Sequence, residues 1–113
     1  MMLSNGSDLI ARLTARIESA LPTPPSIATL ANELAMSTRT LSRHVQAATG
    51  KSTLALLQSV RLHRARMLIE TSRMSIEHVA EQVGYEDASA LRRLMQKVAG
   101  ANPSKFRSTV ANA

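Results

Sequence analysis

The chain carries one sequence pattern twice. The copy that begins at Ile27 recurs at Ile76, an offset of 49 residues, whereas Arg43 recurs as Arg93, an offset of 50. An internal repeat constrains the fold more strongly than any single motif, because both copies must build the same local structure. The sequence therefore predicts two equivalent units, with one extra residue inside the second copy.

The turn of each copy is where we expect the extra residue. Gly84 falls on Ala35 in the alignment, and we expect Gly84 to accommodate the insertion. Glycine adopts positive φ without a steric penalty. The sequence thus predicts a positive φ at Gly84, which a β-carbon would oppose.

Helical periodicity and helix-capping residues account for nearly the whole chain, and no useful stretch alternates as a β-strand does. The chain is predicted to be all-α, with two helix-turn-helix subdomains joined by a long central helix. We predict about seven helices: one from Ser7-Asp8 to before Pro22, one after Ser26, one after Ser37 that closes at Gly50, one over 53–71, one after Ser75, one from Asp87 or Ala88 to Gly100, and one from Pro103 through Phe106.

The predicted domain boundaries follow from these helices. Residues 1–8 are expected to be an N-terminal linker or an expression remnant, and residues 109–113 a C-terminal tail. Residues 9–108 form the double helix-turn-helix domain. It divides into a first subdomain over about 9–52, a linker helix over about 53–71 and a second subdomain over about 72–108. The residues predicted to form the apolar, core-facing side of the linker helix are Leu54, Leu57, Leu62, Ala65, Leu68 and Ile69.

The composition favours a basic, non-enzymatic binding protein. Fourteen Lys and Arg against eight Asp and Glu give a net charge of +6, the balance expected where cations displace counterions from phosphates. The chain has no cysteine, and its three histidines lack the spacing of a helical metal site. No glycine-rich phosphate loop or nucleophile elbow is present. We expect no enzyme activity, cofactor, metal or membrane association, and a cytoplasmic protein that is nucleoid-associated when bound.

The second helix of each copy, over about 38–48 and about 88–99, has the pattern of a DNA-reading helix. The apolar residues predicted to face the core are Leu41, Val45 and Ala48 in the first copy, and Leu91, Met95 and Val98 in the second. Arginine donates two hydrogen bonds to a guanine edge, glutamine donates one hydrogen bond to an adenine edge and accepts another from it, and serine can donate or accept. The residues predicted to project outward are Arg39, Ser42, Arg43 and Gln46, and then Ser89, Arg92, Arg93 and Gln96.

Taken together, the motifs resemble the AraC/XylS family of bacterial transcription regulators, specifically its DNA-binding unit. The residues that carry the resemblance include Leu41-Ser42-Arg43, Gly50-x-Ser52, Arg61-Leu62, Val79-Ala80, Val83-Gly84-Tyr85-x-Asp87 and Pro103-x-x-Phe106-Arg107. The resemblance implies that both recognition helices enter successive major grooves of double-stranded DNA. It places base contacts on Arg39, Ser42 and Arg43, and on Ala88, Ser89, Arg92 and Arg93.

The resemblance also implies RNA polymerase as a further partner and a sensing domain outside this chain. The chain departs from the family pattern at Val45, Leu91 and Met95, where phenylalanine is usual. Two alternatives stay open. The chain could be a basic helical adaptor that grips an acidic protein, and Arg43 could form an ion pair within the chain, for instance with Glu33.

Overall fold

The structure is a computed structural model that describes residues 6–99, and the side chains of residues 8–97. Within this range it contains helices and no strand, which confirms the all-α prediction. The predicted helix from Pro103 through Phe106, the tail over 109–113 and the side chain of Val98 lie outside the described residues. The six helices are α1 (Gly6–Ala20), α2 (Ile27–Glu33), α3 (Thr38–Thr49), α4 (Thr53–Thr71), α5 (Ile76–Gln82) and α6 (Ala88–Ala99).

The helices begin where serine side chains cap them, as the sequence predicts. The hydroxyls of Ser26, Ser37 and Ser75 each accept a hydrogen bond of 3.1 Å from the backbone N–H three residues on. This bond satisfies a donor that the helix leaves unpaired. Gly50 ends α3 in the left-handed conformation, with φ of +74°. Helix α1 differs from the prediction, because it begins at Gly6 and therefore overlaps the expected linker over 1–8.

The chain divides into two compact units, and the division falls inside α4. Unit 1 contains the chain up to Ala20 together with Pro24–Val60, and unit 2 contains Leu21–Thr23 together with the chain from Arg61. Each half of α4 thus belongs to one of the units. None of the described helices is both long enough and apolar enough to span a membrane.

In unit 1, α3 packs against both α1 and α2. The core of unit 1 also includes the first half of α4, where the buried residues lie on one side of the helix. These residues are Thr53, Leu56, Leu57 and Val60. The other buried members of this core are Leu9, Leu13, Ile17, Leu30, Ala31, Leu41 and Val45.

Two apolar residues of unit 1 were predicted to face the core and do not. Ala48 is exposed, because the buried side of α3 continues from Val45 to the half-buried Thr49, whose hydroxyl donates to the Val45 carbonyl oxygen at 2.8 Å. Leu54 is 51% exposed, because it lies off the stripe that begins at Thr53. Both predictions were wrong.

In unit 2, α5 packs against α6, and Arg61 of α4 holds the turn between them. The Arg61 guanidinium donates to the Val83 carbonyl oxygen at 2.9 Å and to the Gly84 carbonyl oxygen at 2.6 Å. It also lies 4.3 Å from the centre of the Tyr85 ring, a distance at which a cation is attracted to an aromatic face. Among the described residues, the buried core of this unit includes Ala65, Ile69, Val79, Ala80, Val83, Leu91 and Met95.

The two turns have the same geometry, so the extra residue of the second copy lies after the turn and not within it. The Met36 N–H donates to the Ala31 carbonyl oxygen at 2.9 Å, and the Tyr85 N–H donates to the Ala80 carbonyl oxygen at the same distance. Ala35 and Gly84 both have positive φ, of 58° and 87°. Tyr85 therefore corresponds to Met36, an offset of 49 residues. The offset becomes 50 only at the next helix caps, Ser37 and Asp87.

Glu86 is therefore the inserted residue, and the expectation that Gly84 accommodates the insertion was wrong. The predicted positive φ at Gly84 is confirmed. The reason for glycine there is spatial as well, because a β-carbon on Gly84 would overlap the Pro22 carbonyl oxygen and lie 2.7 Å from Arg61 Nη2.

Candidate nucleic-acid interface

Helix α3 presents its predicted polar residues on one exposed face. Leu41 and Val45 are fully buried, and they fix the rotation of the helix about its axis. The four predicted contact residues are all exposed. Among the described residues none of the four forms an ion pair, so their donors are available to a ligand. These residues are Arg39, Ser42, Arg43 and Gln46.

The alternative ion pair between Arg43 and Glu33 is wrong. Both Glu33 carboxylate oxygens accept hydrogen bonds from Arg16 of α1, from Nε and from Nη2, at 2.9 Å each. The side-chain hydrogen bond from Arg16 lowers the pKa of Glu33. The same ion pair neutralises the only carboxylate of α2, so the α3 face keeps its positive charge.

An open concavity borders the N-terminal half of α3, within unit 1. Arg39 and Ser42 line it, together with Leu54 from the start of α4. Sequence periodicity assigned Leu54 to the core, and its exposure next to two predicted contact residues adds it to the candidate interface. The remaining lining residues are Ile27, Thr38, Ser52 and Thr53.

Helix α6 presents the equivalent face in unit 2, with one correction. Ser89, Arg92, Arg93 and Gln96 are exposed, as predicted. The resemblance also placed a base contact on Ala88, which is only 5% exposed, so the structure does not present its methyl group on the outer face. Ala88 lies directly after the cap Asp87, whose carboxylate accepts from the Ala90 N–H at 3.0 Å.

The electrostatic surroundings of the two faces differ. In unit 2, Nη2 of Arg92 lies 3.8 Å from a carboxylate oxygen of Glu77 on α5, a contact that sequence reasoning missed. The structurally equivalent positions of unit 1 hold Ala28 and Ser42. The pair is thus an addition to the second copy and is not required by the shared fold.

The described residues contain no group of three or more histidine and carboxylate side chains that could hold a metal ion. The exposed faces of α3 and α6 each carry two arginines. Their chemistry matches the edges of base pairs and the phosphates beside them.

A family model described as a helix-turn-helix domain matches residues 30–109. The chain is 35% identical over 81 residues to the arabinose operon regulatory protein of Escherichia coli K12, covering 72% of this chain and 28% of that protein. It is 25% identical over 104 residues to the transcriptional activator RhaR of Escherichia coli, covering 92% of this chain and 37% of that protein. The chain thus spans only about a third of the length of these relatives.

Solved structures show the same fold. The DNA-binding domain of the global transcriptional factor AdpA, determined in complex with a target DNA, matches with a TM-score of 0.81 and 29% identity over 96% of each chain. A DNA-binding transcriptional dual regulator from Escherichia coli K-12 matches with a TM-score of 0.83 and 25% identity, covering 100% of this chain and 98% of that one.

Proposed function

Because this chain belongs to the AraC/XylS family of transcription regulators, we propose that it binds double-stranded DNA sequence-specifically, with α3 and α6 each in a major groove. This is a family of DNA-binding regulators and not of enzymes. The observation that carries the proposal is the exposed face of α3, where two arginines, a glutamine and a serine stand without ion-pair partners among the described residues. These side chains suit direct reading of base edges.

The contact residues that we propose follow from exposure. On α6 they are Ser89, Arg92, Arg93 and Gln96, without the buried Ala88. On α3 they are the four predicted residues. Leu54 at the start of α4 joins them, because its side chain offers an apolar surface to a sugar or to the methyl group of thymine. RNA polymerase and a sensing domain outside this chain are further partners that we propose from the family alone.

Selection of bound duplexes from a random pool tests this function. If α3 and α6 each read one block of base pairs, the preferred blocks should be centred about 10 to 10.5 base pairs apart, one helical turn of DNA. Inserting five base pairs between the blocks would turn one of them to the opposite side of the duplex and should abolish tight binding. Undiminished affinity for the lengthened site would contradict reading by both helices.

A titration in salt separates this function from that of a basic adaptor for acidic proteins. Specific DNA binding predicts an affinity that falls steeply as salt rises and a preference for the selected duplex of about 10³-fold or more over random duplex. An adaptor would bind both duplexes equally and weakly. Equal binding at every salt concentration would refute the proposed function.

A further inference from the structure

We propose that Glu77 is a positioning residue that sets the specificity of the second reading helix by holding Arg92. The proposal rests on the function proposed above. Glu77 lies on α5, and its carboxylate is 3.8 Å from the guanidinium of Arg92 on α6. Arg92 is one of the side chains that we assign to base reading. Its contact with Glu77 therefore adds a free-energy cost to any DNA contact of Arg92 that breaks the pair.

The pair is placed to act on binding and not on folding. The two side chains are 49% and 70% exposed, so neither contributes to the buried core of unit 2. In unit 1 the equivalent positions hold Ala28 and Ser42, and that unit builds the same turn and the same helices without any ion pair there. A role in stability alone would not account for this difference between the copies.

Glu77 imposes a cost that depends on the DNA sequence. An arginine neutralised by a carboxylate releases fewer counterions when it nears a phosphate, and the carboxylate itself is repelled by the phosphates. Arg92 therefore contributes little to the free energy of binding to a duplex of arbitrary sequence. A guanine at the right position offers two acceptors in the plane of the guanidinium, and because the guanidinium has five N–H donors, Arg92 meets both acceptors while it keeps its contact with Glu77.

The test replaces Glu77 by its neutral isostere and measures affinity for the selected duplex and for random duplex. Glu77→Gln should raise affinity for random duplex about 3- to 5-fold, the upper part of the range that an exposed ion pair contributes. It should raise affinity for the selected duplex less than about 2-fold, so that the specificity ratio falls. The salt dependence of random-duplex binding should steepen by up to about one unit, because one cation is freed.

The chain provides a matched control in Glu81, which lies one turn later on α5, is exposed and forms no ion pair among the described residues. Glu81→Gln makes the same change in net charge and should alter both affinities by one common factor. In an Arg92→Ala background, Glu77→Gln should lose its effect on the ratio, because the group that it restrains is absent.

Three results would overturn the proposal. They are an equal fall in the specificity ratio for Glu77→Gln and Glu81→Gln, an unchanged ratio for Glu77→Gln, or an effect of Glu77→Gln that persists without Arg92. Each can occur while the wild-type chain still prefers its selected duplex, so the proposed function would stand. A wild-type chain without any sequence preference would instead refute both.

Discussion

Gly84 offers a direct test of the turn in unit 2, because two independent features oppose a side chain there. Its φ of +87° lies in the left-handed region, and an added β-carbon would overlap the Pro22 carbonyl oxygen. A residue with a β-carbon pays roughly 1 to 2 kcal/mol in that conformation, and forcing a methyl group into filled space costs roughly 1 to 3 kcal/mol. We therefore expect Gly84→Ala to lower the free energy of unfolding by at least about 2 kcal/mol.

The first copy supplies the control for this experiment. Ala35 occupies the equivalent position at φ of 58°, so Ala35→Gly removes a strained β-carbon and should leave stability unchanged or raise it by up to about 1 kcal/mol. Urea denaturation measures both changes, and hydrogen exchange at the amides of Leu91 and Met95 shows whether the loss lies in unit 2. A loss below about 0.5 kcal/mol for Gly84→Ala, the level of an ordinary surface substitution, would refute the steric argument.

Three further predictions concern reading, the interface and the core. Arg43→Ala should cost about 1 to 3 kcal/mol in binding to the selected duplex and flatten preference at one base pair; a titration of single-base variants in which Arg43→Ala leaves every base preference intact would contradict base reading by Arg43. Leu54→Ala should weaken DNA binding in the same assay while the melting temperature stays the same, because the 51% exposed side chain lies outside the core; a lowered melting temperature would show a packing role. Tyr85→Phe removes a buried hydroxyl that has no hydrogen-bond partner among the described residues and should leave the free energy of unfolding unchanged or raise it by up to about 1 kcal/mol. Burial raises the pKa of the Tyr85 phenol, so Tyr85 ionises at lower pH in the unfolded chain than in the folded one. The free energy of unfolding of the wild type should therefore fall as pH rises above about 10. Urea denaturation at several pH values should show a smaller fall in Tyr85→Phe.

Helix boundaries could be predicted from the sequence because their causes are local. The capping hydroxyls of Ser26, Ser37 and Ser75 act on a backbone N–H three residues away, and Gly50 ends α3 through its own conformation. The outer face of α3 was equally predictable, since Leu41 and Val45 fix which side of an isolated helix is apolar. The positive φ at Gly84 also followed from residue type.

Burial and pairing across helices were not predictable in the same way, because they depend on neighbours distant in sequence. Leu54 belongs to a helix with apolar residues on several sides, so periodicity alone does not select the buried stripe. Ala48 and Ala88 have side chains too small to show which face they prefer. The contact between Glu77 and Arg92 joins two helices whose packing no local spacing reveals.

In α3 the residues that stabilise the fold are separate from the residues that we propose to contact DNA, and this separation affects how such a protein can change its target sequence. Only Leu41 and Val45 of this helix are buried, while its cap and its terminal glycine lie just outside it. Substitutions on the outer face therefore leave the free energy of folding nearly untouched, and mutation can explore new DNA preferences there without first losing the fold. A library randomised at Arg39, Ser42, Arg43 and Gln46 should for the same reason consist mostly of folded proteins, which makes α3 an exchangeable segment for engineering regulators with new operators.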